Sequence, residues 1–127
     1  MNLATQMERS GRSRGERPAI AVGDRVLMNY RELAERVARI AGALQAMGLE
    51  AGDRVCIISK NCPQYLELVY GCWHAGLVAV PTNAKLHATE FAYILDNSGA
   101  RVAFTSKDLS AAVGGIQTAQ LEHLIEI

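Results

Sequence analysis

From Asp53 onward, short apolar runs alternate with segments of helical periodicity, and this rhythm constrains the fold more than any single motif. DRVCIIS (Asp53 to Ser59), LVAVP (Leu77 to Pro81) and RVAFT (Arg101 to Thr105) are apolar and bounded by turn residues, as strands buried on both faces are. LEHLIEI at the end reads as a fourth strand. Parallel strands need a long crossover between them, usually a helix. Strands that alternate with helices therefore predict an α/β architecture built of βαβ units around a mainly parallel sheet.

The local signals agree with that plan. Two apolar runs, Pro18 to Val22 and Arg25 to Asn29, flank Gly23-Asp24 and predict an N-terminal β-hairpin. Asn29 with Glu32 three residues later forms a capping box, so a helix starts near Tyr30. Leu33, Val37, Ile40, Leu44 and Met47 recur at steps of three and four and define its buried face. Gly48 supplies the left-handed stop. Pro63 opens a second helix after Asn61 and Cys62, running to about Ala75 before Gly76. A third runs from His87 to Asn97, ended by Ser98-Gly99. Ser106-Lys107-Asp108 resembles a further cap before a weak helix.

At 127 residues the chain fits a single domain. Residues 1–17 are expected to be a poorly structured or short helical lead-in. Its Arg9, Arg12, Arg14 and Arg17, diluted by Glu8 and Glu16, read as a solvated segment. Thirteen basic and thirteen acidic residues cancel, so no global field points to nucleic acid or to an anionic membrane. No apolar run approaches the roughly 18 residues of a transmembrane segment. Three cysteines without a CxxC pair, and no secretory h-region near Met1, place the chain in the cytoplasm as an expectation.

The chemistry that such sheets usually carry is not legible here. No GxGxxG follows a strand and no GxxxxGK[ST] precedes a helix; Gly114-Gly115 lacks the lysine of a phosphate loop. Cys56, Cys62, Cys72, His74 and His87 do not have the spacing of a zinc site. Cys62 and Cys72 stand at opposite ends of one predicted helix, roughly 15 Å apart. Cys72 and His74 are about 200° apart around that helix, so they do not form a thiol–imidazole pair. His74 is expected at the negative end of the helix dipole and His87 at a cap. Glu67, Glu90 and Asp96 are expected on solvent faces, not as a pair for acid–base work.

Three stretches, in this order and spacing, resemble the AMP-forming acyl-CoA synthetases of the adenylate-forming superfamily. They are RPAIAVGDRVLMNYRELAERVARIAGAL, GLEAGDRVCIISKNCPQYLELVYGCWHAGLVAVPTN and KLHATEFAYILDNSGARVAFTS. Within it, NCPQYLELVYGCWHAGLVAVPTNAKL is most similar to ligases for fatty or aryl acids. Asn29 stands where the family commonly has Thr or Ser, and His87 replaces a Thr or Ser cap.

The resemblance implies that residues 1–127 are an incomplete part of the large N-terminal domain of such an enzyme. The parent would use ATP, Mg²⁺ and CoA to make an acyl-adenylate and then an acyl-CoA. The family's phosphate loop, acyl-pocket aromatic, ribose-binding acid and C-terminal lysine have no counterpart in this stretch. No catalytic residue and no cofactor of its own is therefore expected for the chain alone. Its partner would be the remainder of the ligase, or an oligomeric partner covering exposed apolar faces. The resemblance also implies one ligand contact. A basic residue in the family's segment equivalent to Asn83-Ala84-Lys85-Leu86 lies near the nucleotide end of CoA, which makes Lys85 a candidate for a CoA phosphate. The alternative for Lys85 is an exposed loop lysine. For the chain as a whole the alternatives are a free-standing α/β interaction module or a small nucleotide-binding domain.

Overall fold

The computed structural model describes residues 1–127. The chain order is α1 (Ala4–Ser13), β1 (Pro18–Val22), β2 (Arg25–Asn29), α2 (Tyr30–Ala46), β3 (Arg54–Ile58), α3 (Pro63–His74), β4 (Val78–Thr82), α4 (Ala88–Ser98) and β5 (Val102–Thr105). A 3-10 turn (Lys107–Leu109), a one-turn helix α5 (Ser110–Val113) and β6 (His123–Glu126) complete it. β1 and β2 pair antiparallel, with the left-handed turn conformation carried by Gly23 at φ 61°. The other four strands form one parallel sheet in the order β4-β3-β5-β6.

Alternation along the central strands divides the core in two. Val55 and Ile57 of β3, with Val102 and Phe104 of β5, face one side and pack with Leu44 of α2 and Leu68, Val69 and Cys72 of α3. Cys56, Ile58 and Ala103 face the other side, against Phe91 and Leu95 of α4 and Val113 of α5. Strict period two on strands buried on both faces is what a parallel sheet between two helical layers requires.

A third cluster lies outside α2, where Met7 of α1, Ile20 of β1 and Leu33 and Val37 of α2 meet. The lead-in therefore holds a ten-residue helix that buries Ala4, Met7 and Gly11. Its arginines remain on the solvent side, with Arg12 paired to Glu8. Asn2 anchors the lead-in further by donating to the Trp73 carbonyl at the end of α3 (2.6 Å).

The capping box of α2 has both halves. Glu32 N–H donates to Asn29 Oδ1 at 2.9 Å, and Asn29 N–H donates to Glu32 Oε2 at 2.8 Å. The buried face of α2 departs from expectation by one position. Ala41 is buried, whereas Ile40 and Met47 are half-buried and pack at the edge of the core. α2 and α3 approach closely at Gly71, where a Cβ would lie 2.4 Å from Ile40 Cγ2.

Glu67 corrects the sequence reading. It was expected on a solvent face, yet it is 3% exposed and accepts from Arg36 Nε (3.0 Å) and Nη2 (2.8 Å) across the α2–α3 contact. Periodicity marks a charged residue as outward; it does not register a cation on a neighbouring helix that lets the carboxylate be buried.

No helix is long and apolar enough to cross a membrane. Val22, Val26, Leu66, Val78 and Tyr93 are large apolar side chains left exposed, on the hairpin, α3, the edge strand β4 and α4.

Candidate functional site

Loops that leave adjacent parallel strands for opposite faces splay apart, and a crevice opens at the carboxyl ends of those strands. β3 leads into α3 on one face and β4 leads into α4 on the other. The crevice between them is an open cleft of about 420 Å³ lined by residues 59–61, Tyr65 and residues 81–85.

Backbone and hydroxyl contacts fix its walls. Ser59 Oγ donates to the Lys60 carbonyl at 2.8 Å, and Thr82 Oγ1 lies 3.1 Å from the buried Cys56 Sγ and 3.3 Å from the Val80 carbonyl. Asn83 Oδ1 accepts the Lys85 N–H at 3.0 Å, an Asx turn that orients the segment following β4. α3 starts beside the cleft, with Asn61 and Tyr65 in its lining, while Cys62 and Pro63 line a neighbouring cavity against β1. Burial pushes the Tyr65 phenol above its ordinary range, with a smaller contribution from Cys56, so it stays a neutral hydroxyl near neutral pH.

Two lysines enter the cleft and no carboxylate lines it. Lys60 Nζ sits 2.6 Å from Asp108 Oδ2, on the loop after β5. The hydrogen bond from Lys60 holds the Asp108 carboxyl below its ordinary range. Lys85 is exposed and enters no ion pair. Positive groups on both walls, amide side chains and hydroxyls suit the cleft to an anion. Nothing in it is arranged as a nucleophile with an adjacent base.

The other candidate residues lie apart from one another. Cys56 is buried in β3 and Cys72 in α3; burial pushes the Cys56 thiol up and the Cys72 thiol up to about 12. Cys62 is half-buried at the start of α3, with Sγ 3.6 Å from Ser59 Oγ. His74 is the exposed last residue of α3. His87 precedes α4, where its N–H donates to Glu90 Oε2 at 2.9 Å and its carbonyl accepts the Glu90 N–H at 3.0 Å. Asp96 is exposed on α4. No three metal-ligating side chains converge anywhere in the chain.

Sequence reasoning picked out Lys85 and missed Lys60. The signal was available. Lys60 follows a buried strand and precedes a helix start, which is where the loops of a parallel sheet present side chains to a ligand.

At the opposite end of the sheet, Arg101 joins three segments. It donates through Nη1 to Asp53 Oδ2 (2.6 Å) and the Gly48 carbonyl (3.0 Å), and through Nε and Nη2 to both oxygens of Glu122 (2.8 and 3.0 Å). Four of its five N–H donors are directed at the protein itself, so this cluster fastens loops.

The profile of the family described as AMP-binding enzyme matches residues 7–126. A fatty acid–[acyl-carrier-protein] ligase of Streptomyces coeruleorubidus is 36% identical over 110 residues, covering 87% of this chain and 21% of the relative. A feruloyl-CoA synthase of an Amycolatopsis species is 38% identical over 94 residues, covering 74% and 19%. The solved N-terminal domain of FACL13 from Mycobacterium tuberculosis superposes with a TM-score of 0.89 at 26% identity, covering 99% of this chain and 34% of that one. The chain thus spans about a fifth of the length of the curated relatives it matches. With a family match over nearly its whole length, and with the parallel sheet and carboxyl-edge cleft in place, the chain belongs to the AMP-binding enzyme family.

Proposed function

We infer that these 127 residues form the N-terminal part of an acid–CoA ligase. In that reaction a carboxylate attacks the α-phosphate of ATP, forming an acyl-adenylate and releasing pyrophosphate with Mg²⁺ assistance. The thiol of CoA then attacks the acyl carbon, and AMP leaves. Stabilising charge on the phosphates is the main catalytic demand of the first step. The chain by itself is proposed to be inactive and to work with the remainder of a longer polypeptide, which would supply the charge on the ATP phosphates. That remainder would cover Val22, Leu66 and Val78. The three free thiols support a cytoplasmic site of action.

One observation carries the role of the cleft: Lys85 is an unpaired cation on a wall without carboxylates. We assign it to a phosphate at the nucleotide end of CoA, as a point charge. The relatives named above differ in acceptor, one acting on an acyl-carrier protein and one making a CoA ester. The assignment to CoA is tested in the longer ligase through the Michaelis constant for CoA. Lys85→Ala should raise it roughly two- to fivefold, and Lys85→Glu further, with the constants for acid and ATP unchanged. If both variants leave the CoA constant unaltered, Lys85 is an ordinary loop lysine.

A further inference from the structure

We propose that Lys60 is a second anion-binding charge of this cleft, held by Asp108 until a ligand with two phosphate groups draws it away. The proposal builds on the phosphate reading of Lys85 and adds a residue, a restraint and a ligand class to it. Lys60 follows β3 and Lys85 follows β4, so the two cations belong to opposite walls of one cavity. The carboxylate that neutralises Lys60 comes from a third loop, after β5, outside the lining of the cleft.

The contact is short but open to water, with 71% of the Lys60 side chain and 43% of the Asp108 side chain exposed. Exposed ion pairs of this kind are weak and exchange partners readily. A ligand with one phosphate group meets Lys85 and leaves Lys60 with Asp108. A second phosphate group places up to two negative charges opposite Asp108's one, and the lysine changes partner. Asp108 thereby sets a preference for bisphosphates over monophosphates.

The test is a titration of the 127-residue chain and its variants with adenosine 3′,5′-bisphosphate and with AMP, followed by amide NMR shifts that also report folding. The bisphosphate should bind more tightly than AMP. Asp108→Asn should tighten bisphosphate binding roughly two- to fivefold, and Lys60→Ala should weaken it by a similar factor. The gain from Asp108→Asn should vanish in the Asp108→Asn/Lys60→Ala double variant, since the two act through one contact.

The proposal is overturned if Asp108→Asn leaves the affinity unchanged, if its gain persists without Lys60, or if no variant binds the bisphosphate. Its failure is distinct from failure of the Lys85 assignment. In the first case Lys85→Ala still weakens binding while Lys60 and Asp108 are silent; in the second Lys85→Ala is silent while the Lys60–Asp108 coupling remains. The same variants in the longer ligase, read as the Michaelis constant for CoA, provide a second measurement.

Discussion

Arg36 and Glu67 share one contact, yet removing either partner has different consequences. Glu67 is almost fully buried, whereas about half of the Arg36 side chain is exposed. Arg36→Ala strands a carboxylate in the α2–α3 interface and should cost about 3 kcal/mol. Glu67→Gln lets the guanidinium turn to water and should cost about 1 kcal/mol. Urea unfolding measures both, and equal losses would show that burial of the acid is not what matters. The thiols are also unequal. At pH 8 a thiol reagent should modify Cys62 first, with Cys56 and Cys72 reacting only on unfolding, because burial keeps both protonated. Labelling at Cys72 in the native protein would contradict its place in the core. The cluster Cys72-Trp73-His74 shows where sequence legibility stops at this scale. Helical geometry alone separates the thiol from the imidazole. That Trp73 stacks edge-on with Tyr70 at 5.2 Å, and that its carbonyl is held by Asn2, depends on partners that no local pattern reveals.

Helices and strands were legible because their signals are local. β1 and β2 begin and end where the two apolar runs do, and α2 starts at its capping box. β4 is displaced by one residue, Val78–Thr82 instead of Leu77–Pro81, since Leu77 turns into the core after Gly76 and Thr82 completes the ladder opposite Ile58. Strand order was not legible: β4, β3 and β5 carry similar apolar runs, and only packing decides that β3 is flanked by β4 and β5. The crossing of α2 on α3 likewise rests on a pair of residues distant in sequence. Gly71→Ala gains roughly 1 kcal/mol of helix propensity, but its Cβ meets Ile40 at a distance no contact tolerates. Overpacking of this kind costs about 1–3 kcal/mol. The variant should be destabilised, and Gly71→Ala/Ile40→Ala, which removes the Cγ2 methyl, should lose less than the sum of the two single changes. Additive losses would place the constraint elsewhere.

For the whole molecule, the two ends of the sheet divide the work. The amino-terminal end is fastened by Arg101. The Glu50 N–H and then Arg101 hold the Asp53 carboxyl below its ordinary range, and Arg101 does the same for Glu122. Carboxylates depressed in the folded state contribute stability that is complete above their unfolded values, about 4, and is lost as pH falls through the folded ones. Arg101→Gln should therefore flatten the fall in stability between roughly pH 5 and pH 2. An unchanged acid slope would assign that fall to other groups. The carboxyl-terminal end is left open, with Lys60 and Lys85 facing a cleft that no carboxylate lines. That division is the physical content of the central claim, that this stretch positions a phosphate but does not activate an acid. Acid-dependent exchange of labelled pyrophosphate into ATP tests it most directly. The 127-residue polypeptide should give no exchange above a buffer control, while the longer polypeptide that contains it should exchange with a fatty or aryl acid. Acid-dependent exchange by the purified 127-residue chain alone would contradict the account.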